Sequence, residues 1–288
     1  MVKFKNNIGP FIKWAGGKQS IAKQLLAYFP KDFDCFFEPF VGGGSVFMAT
    51  DWNHAVISDV NGWLVDTYRA IRDDWKQVAD LLEAMPNNKE FFLELRKNHP
   101  SDYSSHFERA AAFIYLNKTC FRGLFRVNKK GYFNVPYGEY SRRYYDPGNL
   151  ERVGELLSKI DIHQGDFELS LATATPNDFV YFDPPYYKLG GHSDFNRYTP
   201  DQFKEPEHLR LAALCRELDT RGIRWAVSNS DTPFTRQLFQ GYHSTPISAR
   251  REINLNSKAR KIQELLFTNY EVRVEKVAQT EQEELIFG

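Results

Sequence analysis

The sequence predicts an α/β protein with a mostly parallel sheet, and three observations predict it. An apolar run, Cys35-Phe36-Phe37, leads into Gly42-Gly43-Gly44 and is followed by a short helical stretch, a second strand and an acid. A second apolar run, Phe179-Val180-Tyr181-Phe182, stops at Asp183. Stretches with helical periodicity alternate with such runs, the order from which parallel sheets are built.

Residues 19–28 read as a short amphipathic helix that ends before Pro30. After the glycines, Ser45 to Thr50 can begin the next helix, and Ala55-Val56-Ile57-Ser58 reads as a strand with Asp59 at its C-terminal end, 17 positions beyond Gly42. That order suits a unit that binds a cofactor. From Trp63 to Leu116 helical periodicity and charged faces dominate, and the stretch closes on a hairpin signal: FRVN, Lys129-Lys130-Gly131, then YFNVPYG. Alternation resumes with a strand at Ile160 to His163, the strand ending at Asp183, a helix over 203–219 and a strand at Trp225-Ala226-Val227, which together complete a parallel sheet. We therefore expect a discontinuous catalytic domain, residues 1–61 and 146–288, with residues 62–145 inserted as a recognition domain of helices and a hairpin.

A chain of 288 residues can bury a substantial core. No apolar run reaches about eighteen residues, and MVKFKNNIGP lacks the apolar stretch of a secretion signal, so no membrane span and a cytoplasmic location are expected. Cys35, Cys120 and Cys215 form no CxxC pair, which argues for reduced, packed thiols and no metal. The 37 basic and 37 acidic residues cancel, but unevenly. Between Lys118 and Arg143 seven basic residues (Lys118, Arg122, Arg126, Lys129, Lys130, Arg142, Arg143) face one acid, Glu139. A local basic patch is what a nucleic-acid binder needs.

The most specific motif is Asp183-Pro184-Pro185-Tyr186. Residues just past the C-terminal ends of parallel strands line the ligand crevice of such sheets. The exocyclic amine of adenine is conjugated with its ring and is a poor nucleophile. Asp183 and the carbonyl of Pro184 can accept its hydrogens and draw the lone pair out of conjugation. The prolines stiffen the backbone and remove competing N–H donors, and the Tyr186 ring offers a surface on which a flipped base stacks. The bland alternative is an acidic strand end followed by a Pro-Pro loop.

In FEPFVGGGSVF, residues 37–47, the glycines allow close backbone approach to a ligand, and Asp59 can accept from two ribose hydroxyls. Val46 breaks the GxGxxG spacing, which disfavours a pyrophosphate ligand. FIKWAGGK, residues 11–18, fails the Walker pattern because Ile12 and Gln19 stand where Gly and Ser or Thr are required. It suits a cofactor lid: Trp14 supplies a surface beside a sulfonium, and Lys18 a partner for a carboxylate. A buried Trp and a solvated Lys at a helix start are the alternative. In the basic, aromatic segment from Asn117 to Tyr140, Arg126 can fork onto a guanine edge, Lys129, Lys130 and Arg142 can meet phosphates, and Phe121 can wedge between bases; a solvated hairpin reads equally from the same residues. A further basic run, Arg250-Arg251 and Lys258 to Lys261, can add phosphate contacts.

FIKWAGGK, FEPFVGGGSVF, SDVN at 58–61, NKTCFRGLFRVNKKGYFNVPYG at 117–138 and DFVYFDPPYY at 178–187 together resemble the Dam family of DNA adenine N6-methyltransferases, of the D12 class, in motif content and order over nearly the whole chain. The resemblance implies a Rossmann-like methyltransferase domain that uses S-adenosylmethionine and acts on double-stranded DNA, here expected as a monomer. It implies that Trp14, Lys18, Asp59 and Asp183 contact the cofactor, with Glu38, Gly42, Gly43 and Gly44 shaping that pocket. It places Lys13, Phe121, Leu124, Arg126, Asn128 and Pro136 at the DNA, within GATC in the best-known members. Arg122 stands where many members have Asn, and Glu139 where some have a basic residue, so the outer base pairs of the target are open. Rival readings are transfer to cytosine N4, RNA or a protein amide, an idle protein that masks DNA sites, and a nucleotide-binding enzyme, against which the failed phosphate-loop spacings count.

Overall fold

The computed structural model describes residues 8–187, 203–248 and 263–272. Seven strands form one sheet: β1 (Phe36–Glu38), β2 (Ala55–Asp59), β3 (Asp161–Gln164), β4 (Phe179–Phe182), β5 (Arg224–Ser230), β6 (His243–Ser248) and β7 (Gln263–Thr268), in the order β3-β2-β1-β4-β5-β7-β6. Neighbours from β3 to β5 are parallel, with Phe36 level with Ala55 on one side and Phe179 on the other. The expected all-parallel second half is corrected here: β7 runs antiparallel to both β5 and β6. Strand β6, unanticipated from the sequence, carries Pro246, and as an edge strand it tolerates a residue with no N–H to give.

Among the described residues seven α-helices accompany the sheet: α1 (Ala22–Tyr28), α2 (Gly62–Glu83), α3 (Lys89–Leu95), α4 (His106–Thr119), α5 (Pro147–Leu157), α6 (Glu205–Thr220) and α7 (Pro233–Leu238). The helix expected from Ser45 reduces to a single 3-10 turn, Phe47–Ala49. Trp52 limits it: the indole lies flat on Phe36 at 3.9 Å between centroids and donates to the Phe47 carbonyl at 2.7 Å, which draws the chain back to the sheet at once.

Alternation along the strands divides the interior. Phe36, Ile57, Phe179 and Tyr181 pack with α2, α4 and α5 on one face, and Phe37, Val180, Phe182 and Val227 with α6 on the other. Residues 62–145 contribute Leu64, Tyr68, Phe113, Phe125 and Phe133 to the first of these cores, so they and the sheet share one apolar interior. The segment read as a hairpin reverses at Asn128 to Gly131, with isolated antiparallel bridges Val127↔Phe133 and Cys120↔Tyr137 in place of a continuous ladder. The cysteines are unpaired, and burial pushes the Cys35 and Cys120 thiols up to about 12. Among the described residues no helix is long and apolar enough to cross a membrane.

Candidate active site

The strand order reverses direction between β1 and β4, so the connections after these strands leave to opposite sides and open a crevice at their C-terminal ends. Glu38 closes β1 at this point and Asp183 follows β4. Gly42 (φ +48°) and Gly44 (φ +70°) take a backbone that side chains disfavour. A Cβ on Gly42 would also stand 2.7 Å from Trp14 Cδ1, and one on Gly44 2.7 Å from the Tyr68 hydroxyl. The lid tryptophan thus lies directly on the glycine turn. Tyr68, on α2, donates to the Gly42 carbonyl at 2.9 Å and holds the turn from behind.

Asp59 is tied to the same turn. One carboxylate oxygen accepts from Gly42 N (3.1 Å) and the other from Asn61 N (2.9 Å), leaving lone pairs for a ligand's hydroxyls. Burial pushes its pKa up to about 6 against these backbone bonds. Glu38 is 2 % exposed, and burial, then the charge of Asp183, hold its pKa well above the usual carboxylate range. Its Oε2 has no hydrogen-bond partner among the described residues.

Asp183 Oδ1 lies 2.9 Å from Lys18 Nζ, which also donates to the Gly16 carbonyl at 2.8 Å and stands 4.5 Å above the Tyr186 ring. The predicted lid, glycine and Asp-Pro-Pro-Tyr residues therefore converge. Two strand ends pin the loop after Asp183. Tyr186 donates to Glu264 on β7 at 3.0 Å, Tyr187 N donates to Asn229 Oδ1 at 3.1 Å, and Ser230 Oγ donates to the Tyr187 carbonyl at 2.5 Å.

The predicted DNA-facing residues gather on and around the 121–138 segment. Lys13 is fixed to α4 by a reciprocal pair of bonds with the Asn117 amide, and its side chain runs against Gly123 toward the Tyr140 ring, 5.2 Å from Nζ. Phe121 is 47 % exposed, and the Arg122 guanidinium lies 5.1 Å from it. Arg122 itself takes φ +57°, and its N–H donates to the Tyr140 hydroxyl at 3.0 Å. Leu124 is half-buried and Pro136 exposed. Arg126 donates through Nε and Nη2 to the Asn134 carbonyl (3.0 and 2.6 Å). Asn128 makes the turn, its Oδ1 accepting from Lys130 N and Tyr132 N, with Lys129 and Lys130 exposed beside it. Burial and the charges of Lys13 and Arg142 hold Lys118 below its usual pKa, so positive charge is concentrated here. Arg143, by contrast, is paired with Glu83. Arg250, Arg251 and Lys258 to Lys261 lie outside the described residues.

Some residues beside the crevice escaped the sequence reading. Gly165 N donates to the Asp59 carbonyl at 3.2 Å, and Phe167 stacks on Phe40 at 5.3 Å, which brings Gly165-Asp166-Phe167 to the crevice beside Asp59. The signal was available, an acid just past a strand end, as at Asp59 and Asp183. Glu264 and Asn229 carried no such signal, because their relevance depends on where β7 and β5 lie in the sheet.

A Rossmann-like sheet with an antiparallel β7, a glycine turn and Asp-Pro-Pro-Tyr at its reversal point defines a methyltransferase. The chain belongs to the D12 class of N6 adenine-specific DNA methyltransferases, whose family model matches residues 14–253. It is an adenine-specific DNA methyltransferase. It is 38 % identical over 277 residues to the type II methyltransferase M1.LlaDCHI of Lactococcus lactis subsp. cremoris (93 % of this chain, 98 % of the relative). It is likewise 38 % identical over 287 residues to the type II methyltransferase M.MjaIII of Methanocaldococcus jannaschii (91 % and 99 %). To the DNA adenine methylase of Escherichia coli K12 it is 33 % identical over 261 residues (89 % and 93 %).

Proposed function

We propose that the enzyme takes its methyl group from S-adenosylmethionine and places it on N6 of an adenine flipped out of double-stranded DNA, within GATC or a related short site. The observation that carries this reading is the convergence of Asp183 and Tyr186 with the Gly42 to Gly44 turn on one crevice, next to a buried carboxylate oxygen of Glu38 that lacks a partner. The residues fit the cofactor. Asp59 would take its ribose hydroxyls, Glu38 its ammonium, Lys18 its carboxylate, and Trp14 with the glycines would enclose it; when bound it supplies a methyl group on a sulfonium centre. Asp183 and the Pro184 carbonyl accept the hydrogens of the target amine and free its lone pair, while Pro185 keeps the loop rigid and Tyr186 stacks on the base. Positioning and hydrogen bonding supply most of the rate, with no covalent enzyme intermediate.

Residues 62–145 serve as the recognition module in this reading. Arg126 reads a guanine edge, Phe121, Leu124 and Pro136 pack against bases, and Lys13, Asn128, Lys129 and Lys130 line the duplex. Arg122 decides the outer base pair. The higher identity to relatives named type II methyltransferases favours the modification partner of a restriction pair, acting in the cytoplasm as a monomer. Single-molecule sequencing of DNA from a methylation-deficient host that expresses the protein tests this. N6-methyladenine confined to one short motif is expected. Modified cytosine, or no modified base with expression verified, would overturn it.

A further inference from the structure

Glu264 is the first residue of β7 with a role at the crevice, and topology alone brings it there. Because β7 runs antiparallel to β5, the start of β7 meets the end of β5, with Glu264 level with Ser230. Glu264 is 4 % exposed and accepts the Tyr186 hydroxyl at 3.0 Å. Burial and the charges of Asp183 and Glu264 push the Tyr186 phenol well above its ordinary pKa, so it keeps its proton and acts as donor. On the face of the same ring sits the Lys18 ammonium, 4.5 Å from the centroid, so this face attracts a cation.

We propose that Glu264 is a positioning residue for methyl transfer. By accepting the Tyr186 hydroxyl it fixes the plane of the ring against the target base and makes the ring face more electron-rich. The inference rests on the adenine-methylation reading above. As the amine's lone pair forms its bond to the methyl carbon, the carbon–sulfur pair returns to sulfur. The amine nitrogen then carries the positive charge until it releases one proton to Asp183 or to water. An electron-rich face beside that nitrogen favours the transition state over the neutral ground-state amine, so Glu264 acts on the chemical step and not on binding. A neutral amide at 264 could still accept the hydroxyl, but without the charge that polarises the ring.

The test is a double-mutant cycle on Glu264→Gln, Tyr186→Phe and the pair, reading single-turnover rate and the separate affinities for DNA and for S-adenosylmethionine. Glu264→Gln is expected to slow the single turnover about tenfold, the scale of a hydrogen bond to a charged group, with both affinities within about twofold of wild type. Tyr186→Phe should lose a similar factor, and the double variant no more. A wild-type rate for Glu264→Gln, a loss that persists in the Tyr186→Phe background, or a loss expressed as weaker binding would each overturn the proposal. Should Glu264→Gln fail to fold, Tyr186→Phe decides alone: an undiminished rate overturns it. If the wild-type enzyme methylates no adenine, it is the adenine-transfer reading that falls.

Discussion

In the crevice between β1 and β4 the polar groups are buried and most are already partnered, Asp183 with Lys18, Asp59 with Gly42 and Asn61, Tyr186 with Glu264, while Glu38 Oε2 is left without a hydrogen-bond partner among the described residues. On the 121–138 hairpin they are exposed and folded onto the hairpin's own backbone, Arg126 on the Asn134 carbonyl and Asn128 on the turn it makes. The crevice is built to keep its geometry through the reaction, so its dipoles need no reorganisation at the moment of transfer. The hairpin is built to exchange contacts. In the proposed reading each self-bond given up to reach a base is replaced by a bond to it, so binding would contribute discrimination more than raw affinity.

The largest expected effect lies in the crevice. In the proposed mechanism Asp183→Ala removes the acceptor that activates the amine, and the single-turnover rate should fall by roughly 1,000-fold, the upper range for loss of one oriented group. DNA affinity should hold. A rate within tenfold of wild type would show that the Pro184 carbonyl suffices and that the crevice is less specialised than its burial implies.

On the hairpin, Arg126→Ala should leave thermal stability nearly unchanged, since the side chain is exposed and, among the described residues, bonds to the Asn134 carbonyl alone. Its cost should appear as relaxed preference at one base pair, about 1–3 kcal/mol or roughly five- to 150-fold in methylation of the cognate site against its variants. Equal loss on every sequence would make Arg126 a phosphate contact instead. Gly42→Ala should matter less: the left-handed backbone costs about 1–2 kcal/mol and the new methyl displaces Trp14, so cofactor affinity should fall about tenfold by calorimetry. Trp14 stacks at 5.4 Å on Phe125 of the hairpin, so a parallel loss of DNA affinity would mean that the two regions are mechanically coupled.

What could be read from the sequence follows from the range of the interactions. Strands β1 to β5 and the acids at their ends were legible because apolar runs and strand-end residues are local signals. So was the approach of Gly42 and Asp183, because a parallel sheet brings strand ends to one edge; Trp14 was placed beside them by the family resemblance and not by strand geometry. The orientation of β7 and the role of Glu264 were not, since they depend on a pairing between strands more than thirty residues apart. The helix expected at Ser45 gave way to a packing contact of Trp52 that periodicity does not encode.

The smallest effect separates the two regions by pH. Asp183 is pushed up to about 6, first by burial and further by Glu264, while the charge and hydrogen bond of Lys18 hold it down. Glu38, Tyr181 and Tyr186 are the other ionisable groups that feel its charge among the described residues. The ionised carboxylate is the stronger acceptor of the amine hydrogens and has no O–H to compete with them. The value of kcat/KM, which reports the free enzyme, should therefore fall below about pH 6, tenfold per unit for Asp183 alone and more steeply where Asp59, also pushed up to about 6, is needed ionised, and level off above about pH 7. Glu264→Gln removes a repelling charge, lowers the pKa of Asp183 and should move this limb to lower pH. Arg126→Ala leaves every group around Asp183 in place and should keep the limb where it is. A limb that moves with Arg126 but not with Glu264 would mean that the titrating group belongs to the DNA-facing surface, and that burial in the crevice does not set the pH dependence.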